Sequence, residues 1–155
     1  MWWRRLRYLL LLTALCAIAT CPTARRACTA KVRAREADEL LGYLADRVAA
    51  VVKETGRVPP LPAGPTPAPG CCEQGGVCGV DPTRWATPAW QALLFSIDGE
   101  HRYSYTYAPA ADGRSAVIRA TGDVDCDGSG GTYEVTVTVK SDGVGRTWTR
   151  TNPYQ

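Results

Sequence analysis

Apolar positions repeat along this chain with two different periods, and the first of them predicts a helix over residues 31–55. Apolar side chains in that stretch recur at the i, i+3, i+4, i+7 spacing of a single helix face. They are Ala37, Leu40, Leu41, Leu44, Val48, Val51 and Val52. Gly56 and the Pro59-Pro60 pair are signals that end a helix. We therefore expect residues 31–56 to form an amphipathic helix whose apolar face packs on a flat surface.

A period of two in the second half of the chain predicts antiparallel strands. The alternation is strongest from Tyr133 to Lys140, where Tyr and Val alternate with Glu, Thr and Lys. The other predicted strands are 94–98, 101–107 and 116–121, with 145–151 as a candidate last strand. The prediction is an α+β fold with a sheet of about four strands in residues 93–155. Residues 57–92 form a Pro/Gly/Cys-rich connector, and residues 31–155 form one domain.

Aromatic residues before and within the strands allow two interpretations. His101, Tyr103, Tyr105 and Tyr107 share one face of a strand, which is either half-buried under the helix or an exposed carbohydrate-binding face. Trp85 and Trp90 are likewise expected to cap the core, with a ligand platform as the rarer alternative. For His101 the default is a surface or strand-face position. Because no nucleophile, base and orienting group can be assembled, we do not expect an enzyme.

Charge is distributed unevenly along the chain. Residues 1–35 carry eight Lys/Arg and no Asp/Glu, which leaves ten basic and fifteen acidic residues in 36–155. An acidic body argues against nucleic acid as a partner, because nucleic-acid binding needs a basic surface.

The N-terminal residues 1–30 are predicted to be an export signal or a membrane anchor. Arg4, Arg5 and Arg7 precede an apolar run that extends from Tyr8 to about Ala19, as in a signal segment. Three fates remain open: cleavage after Ala19, lipidation of Cys21, or retention as an anchor with its basic end inside. All three place the body outside the cytoplasm, and the predicted location is the cell envelope.

Four cysteines in the body, Cys71, Cys72, Cys78 and Cys126, predict two disulfides in an oxidising compartment. A bond between adjacent Cys71 and Cys72 would be strained, so we expect one bond to join Cys126 to the 71–78 segment. Metal binding by these cysteines is the weaker alternative, because no histidine lies near them in the sequence and no paired C-x-x-C is present.

The segment from Asp123 to Glu134 has the spacing of a calcium-binding loop. The candidate ligands are Asp123, Asp125, Asp127, the Ser129 carbonyl and Glu134, with Gly128 at the sharp turn. Strand-like sequence flanks the loop where an EF-hand would have helices. A solvated turn without a cation is therefore the alternative to Ca²⁺ binding.

The chain resembles type IV pilins and pseudopilins, and in particular myxobacterial-type pilin-like envelope proteins. The motifs that carry the resemblance are Cys71-Cys72 with Cys78, Asp81-Pro82-x-x-Trp85, Trp90-Gln-Ala-Leu-x-Phe95-Ser96, Tyr103-x-Tyr105 and Gly122–Gly128. The usual prepilin leader motif does not occur. The resemblance implies a membrane-tethered envelope domain with a helix on a disulfide-tied sheet, calcium in a C-terminal loop, and other envelope or pilin-like proteins as partners.

Overall fold

The computed structural model describes residues 7–8 and 22–153, in which one long helix packs across an antiparallel sheet of five strands. The long helix, α1, spans Pro22–Thr55. The strands are β1 (Ala63–Thr66), β2 (Ser104–Pro109), β3 (Ser115–Gly122), β4 (Gly131–Lys140) and β5 (Gly143–Thr151). Each strand pairs with the next along the chain, so the sheet is a simple meander. Between β1 and β2 lie two 3₁₀ turns, Cys71–Gln74 and Pro82–Trp85, and a short helix α2, Pro88–Ala92.

Helix α1 begins nine residues before the predicted start at residue 31 and ends where the sequence predicts. Pro22 suits the first helical position, where its missing N–H has no helical partner to lose. Gly56, at φ +75°, ends the helix and donates its N–H to the Val52 carbonyl at 2.8 Å. Leu41, Leu44 and Val48 are fully buried against the sheet, which confirms the predicted apolar face.

The sheet presents its apolar side chains to α1 and its polar ones to solvent. Ile118 of β3 pairs across to Val135 of β4, and both side chains are fully buried. On the opposite face, residues such as Thr121 and Thr138 are exposed. This alternation is the one that an antiparallel sheet covered on one side requires.

The predicted number of strands, about four, and one strand position are wrong. Residues 94–98 form a loop in which Leu94 is 65% exposed, while Phe95 and Ile97 turn into the core. Short apolar runs do not distinguish a strand from such a loop. The additional strand is β1, inside the Pro-rich connector, where an edge position tolerates proline. There Gly64 passes so close to β2 that a Cβ would lie 2.1 Å from the Tyr105 carbonyl oxygen.

The aromatic residues of β2 and of the connector form the part of the core next to β1. Tyr103, Tyr105 and Tyr107 are all buried, and the Tyr107 hydroxyl donates to the Pro59 carbonyl at 2.7 Å. Trp90 is also buried, and its indole N–H donates to Thr66 Oγ1 at 2.9 Å, which joins α2 to β1. The expectation that these rings belong to the core is confirmed.

The predicted cleavage site, the Cys21 lipidation site and most of the apolar run lie outside the described residues. Within residues 7–8 and 22–153, no helix is both long and apolar enough to span a bilayer.

Candidate functional site

The motifs that the sequence singles out lie together at one end of the sheet, which we call the proximal end. Here β3 ends, β4 and β2 begin, and residues 123–130 form a loop, the Asp loop. The N-terminal half of α1 reaches the same end, because Arg33 Nη1 donates to the Val124 carbonyl. The opposite end, with the turns at 110–114 and 141–142 and the end of α1 at Thr55, is the distal end.

Two disulfides hold the connector at the proximal end. Cys71 bonds to Cys78, and Cys72 bonds to Cys126 across a sequence separation of 54 residues. Both bonds agree with the expected use of the four body cysteines, including the link from Cys126 to the 71–78 segment. The second bond fixes the Asp loop to the 3₁₀ turn Cys71–Gln74, and the Cys72 sulfur lies 2.8 Å from the Asp123 carbonyl oxygen.

Three aspartates converge in the Asp loop. One carboxylate oxygen from each of Asp123, Asp125 and Asp127 lies within 4.8 Å of the others. The Asp123 carboxylate accepts the backbone N–H of Asp127 at 3.2 Å and that of Gly128 at 2.8 Å. Asp127 in turn accepts the N–H of Ser129 at 2.8 Å. These bonds make the loop a closed turn with carboxylates on its surface.

Glu134, the candidate twelfth-position ligand, lies elsewhere. It belongs to β4, directly opposite Arg119 of β3, and its carboxylate forms an ion pair with that arginine. The structure therefore groups Asp123, Asp125 and Asp127, while Glu134 has a different partner on the solvent face of the sheet. A strand begins at Gly131, and its extended backbone carries the side chain of residue 134 away from the turn.

Sequence reasoning missed Glu36, which joins α1 to the chain just before β2. The Glu36 carboxylate accepts the N–H of Arg102 at 2.8 Å and that of Tyr103 at 3.3 Å. Burial raises the pKa of Glu36 above its ordinary value of 4.5, and the hydrogen bonds from Arg102 and Tyr103, together with the Arg102 guanidinium, offset only part of that effect. In the sequence, the feature that could have indicated this role is the position of Glu36 next to Ala37, at the border of the apolar face of α1.

A cavity of about 430 Å³ lies between the N-terminal half of α1 and the Cys72–Cys126 bond. Its polar lining comes from Arg33, Arg102 and Asp125. The two arginines already have partners, since Arg33 binds the Val124 carbonyl and Arg102 lies 4.0 Å from the Glu36 carboxylate.

The aromatic residues and His101 are not placed to contact a ligand at the surface, which removes the exposed alternatives that the sequence left open. His101 is buried and not on the surface, because its backbone bridges to Cys78 and its ring packs 5.9 Å from that of Trp85. The tyrosine face and the two tryptophans are covered by α1 and by the connector, so they offer no exposed carbohydrate surface. Burial also raises the pKa of the Tyr103, Tyr105 and Tyr107 hydroxyls, which keeps them protonated.

Comparisons of this chain with protein-family models, with curated proteins and with solved structures give no match.

Proposed function

We propose that this chain is a non-enzymatic, extracytoplasmic domain that its N-terminal segment holds at a membrane. In this proposal it acts as a pilin-like structural or interaction component of a bacterial cell envelope, with other envelope or pilin-like proteins as partners. The chain's one histidine is buried, and a buried imidazole is not placed to meet a substrate.

The observation that carries the proposal is the course of α1. The helix runs unbroken from Pro22, yet the first buried side chain among those described is Ala34, with Ala30 partly buried. Cys28, Thr29 and Val32 are exposed. At 1.5 Å per residue the helix from Pro22 to Ala34 measures about 18 Å. Such a helix is a rigid spacer between residues 1–21 and the domain, as a membrane tether requires.

The two disulfides support an extracytoplasmic location, because such bonds persist in oxidising compartments. The alternative function is a secreted or lipid-anchored binding module, with the tyrosine strand and the two tryptophans as its ligand surface. Burial of these rings removes that surface. The remaining feature of this alternative is the Asp loop. We propose that this loop takes Ca²⁺ through Asp123, Asp125, Asp127 and the Ser129 carbonyl. Glu134 becomes a further ligand only if its carboxylate leaves Arg119.

The mature N-terminus tests the tether. The full chain is produced in a bacterial host with its own N-terminal segment, and membrane and soluble fractions are analysed by intact mass spectrometry. The proposal expects Met1 to be retained and the protein to resist extraction of the membranes by high salt and alkali. A soluble species that begins at Thr20 would contradict it in favour of secretion.

A Cys21→Ser variant is the matched control for lipidation. A retained helical anchor does not need that thiol, so the variant should stay in the membrane fraction. Release of the variant, together with a diacylated parent, would support the lipid-anchored alternative and contradict the proposal.

A further inference from the structure

A second group of ligand atoms lies in the interior, apart from the Asp loop. The sulfurs of Cys71 and Cys78 and one ring nitrogen of His101 all lie within 4.8 Å of one another. The three residues are 4%, 0% and 1% exposed, respectively. Although no histidine lies near the cysteines in the sequence, the fold brings His101 beside this pair. The absence of a nearby histidine, one of the two reasons for treating metal binding as the weaker alternative, therefore no longer holds for Cys71 and Cys78.

The His101 ring has the hydrogen bonding of a metal ligand. Its Nδ1 lies 3.1 Å from the Gly99 carbonyl oxygen, which can only accept, so Nδ1 carries the proton. In the neutral ring the other nitrogen, Nε2, is then a lone-pair donor, and it is buried with no hydrogen-bond partner among the described residues. Metal-binding histidines are typically held by a carbonyl or carboxylate on the second ring nitrogen in this way. A buried acceptor without a partner requires an explanation, and a metal ion supplies one.

The backbone holds this group without help from the sulfur–sulfur bond. The Cys78 N–H donates to the His101 carbonyl at 2.8 Å, and the His101 N–H donates to the Cys78 carbonyl at 3.1 Å. The Gln74 amide lies 3.4 Å from the Cys78 sulfur and can donate to a thiolate there. Reduction of the disulfide would therefore leave at least Cys78 and His101 side by side.

We propose that Cys71, Cys78 and His101 form a Zn²⁺ site when the two cysteines are reduced. The disulfide and the zinc ion are then alternative links between Cys71 and Cys78. A dithiol reductant transfers two electrons and two protons to the sulfurs of Cys71 and Cys78 and itself becomes a disulfide. Zn²⁺ then replaces the two thiol protons, which pass to solvent, while Nε2 contributes its lone pair and Nδ1 keeps its proton.

Charge favours a divalent ion at this position, and zinc is the divalent ion that such a donor set commonly holds. Two thiolates and a neutral imidazole balance Zn²⁺, so that the complex is neutral, whereas Cu⁺ would leave a net negative charge in the interior. Burying an uncompensated charge is costly. Thiolate and imidazole donors also exclude Ca²⁺ and Mg²⁺, which prefer oxygen. Two cysteines and one histidine with an open fourth position is a known arrangement for zinc.

Metal titration of the full chain in detergent micelles tests the site. The protein is fully reduced with a phosphine under argon and titrated with Zn²⁺ for stoichiometry and with Cd²⁺ for the ultraviolet thiolate-to-metal band. We expect one equivalent of Zn²⁺ per chain. His101→Gln should weaken binding by more than the roughly 10–100-fold that loss of a second-shell partner costs. Cys72→Ser/Cys126→Ser is the matched control, since the reduced parent has no bond there to lose, and it should bind as the parent does.

A second measurement needs no variant and so does not depend on how His101→Gln folds. The oxidised parent is equilibrated in glutathione buffers with and without Zn²⁺, and the cysteines are alkylated and identified by peptide mass spectrometry. Zn²⁺ should move the Cys71–Cys78 pair toward thiols and leave the Cys72–Cys126 pair unchanged. The proposal is overturned if the reduced parent takes up no stoichiometric metal, if His101→Gln binds equally well, or if Zn²⁺ shifts both pairs alike.

Discussion

The proximal and distal ends of this domain are held together by different means. At the distal end, residues near in sequence meet in a tight turn. Within this turn the Gly113 N–H donates to the Ala110 carbonyl at 3.0 Å, and a backbone bond at the same distance, from the Val58 N–H to the Gly113 carbonyl, joins the turn to the remote segment after α1. At the proximal end, the contacts join remote segments through disulfides and charged side chains, as between Cys72 and Cys126 or Glu36 and Arg102.

The difference follows from the cost of bringing chain segments together. Closing a short turn costs little entropy, and a few backbone hydrogen bonds suffice to hold it. The entropy cost rises with the length of the loop that is closed. Where the connector meets the Asp loop there is little regular structure and only Val124 as a buried aliphatic side chain from residues 123–130, so covalent bonds provide the link.

Removing the Cys72–Cys126 bond should have the largest effect. Its sequence separation of 54 residues gives roughly 4 kcal/mol of stabilisation in the chain-entropy estimate. The separation of 7 residues at Cys71–Cys78 gives only about 2 kcal/mol. Cys72→Ser/Cys126→Ser should therefore lower the free energy of unfolding about twice as much as Cys71→Ser/Cys78→Ser, as measured by denaturant titration. Equal losses in the free energy of unfolding would mean that the stabilisation by these two disulfides does not depend on the length of the loop that each closes.

The corresponding change at the distal end is Gly113→Ala. Gly113 has φ +68° and its Cβ would lie 3.4 Å from Arg57 Cδ, so strain in the left-handed region decides the effect. Such strain costs roughly 1–2 kcal/mol in the free energy of unfolding. Gly70→Ala is the matched control, since Gly70 has φ −63° and open space around it. A melting temperature of Gly113→Ala that equals that of Gly70→Ala would show that the distal turn tolerates a side chain.

Calcium should stabilise only the proximal end. At free Ca²⁺ about ten times Kd, binding to the folded state alone raises the free energy of unfolding by roughly 1.4 kcal/mol. Thermal melts should then shift by a few degrees in millimolar Ca²⁺ and by less in Mg²⁺, which loses its water reluctantly. Asp125→Asn should remove most of the shift. Asp142→Asn, an exposed change in the distal turn, should keep it. If the parent does not respond to Ca²⁺, the Asp loop is a solvated turn.

Replacing Glu36 should have the smallest effect on the free energy of unfolding. This effect is recognised by its dependence on pH. The folded protein holds the Glu36 proton more tightly than the unfolded chain does, because burial raises the pKa above 4.5. The resulting stabilisation is complete below pH 4.5 and is lost as the pH rises through the folded-state pKa. Glu36→Gln should flatten this decline in denaturant titrations between about pH 4 and 7. A Gln variant with the parent's slope would show that Glu36 does not titrate differently in the folded state.

Local pattern predicts much of the fold but not the partners of its site residues. The spacing of Leu41, Leu44 and Val48 is enough to predict the buried face of α1, and strict alternation is enough to predict β4. The prediction of a strand at 94–98 is wrong because these residues form an irregular loop that still buries Phe95 and Ile97. A short apolar run does not distinguish such a loop from a strand. Strand β1 is missed because prolines surround it, and only its pairing with β2 makes it a strand.

The sequence by itself determined the α+β class, the apolar face of the helix, the even number of body cysteines and the three alternating aspartates, because each of these lies in residues near one another along the chain. Only the tertiary structure decided that Cys72 pairs with Cys126, that Glu134 pairs with Arg119, and that His101 is buried beside Cys71 and Cys78. These contacts depend on strand register and on how the connector crosses the end of the sheet. Both result from packing the whole chain around one core, and no local period encodes them.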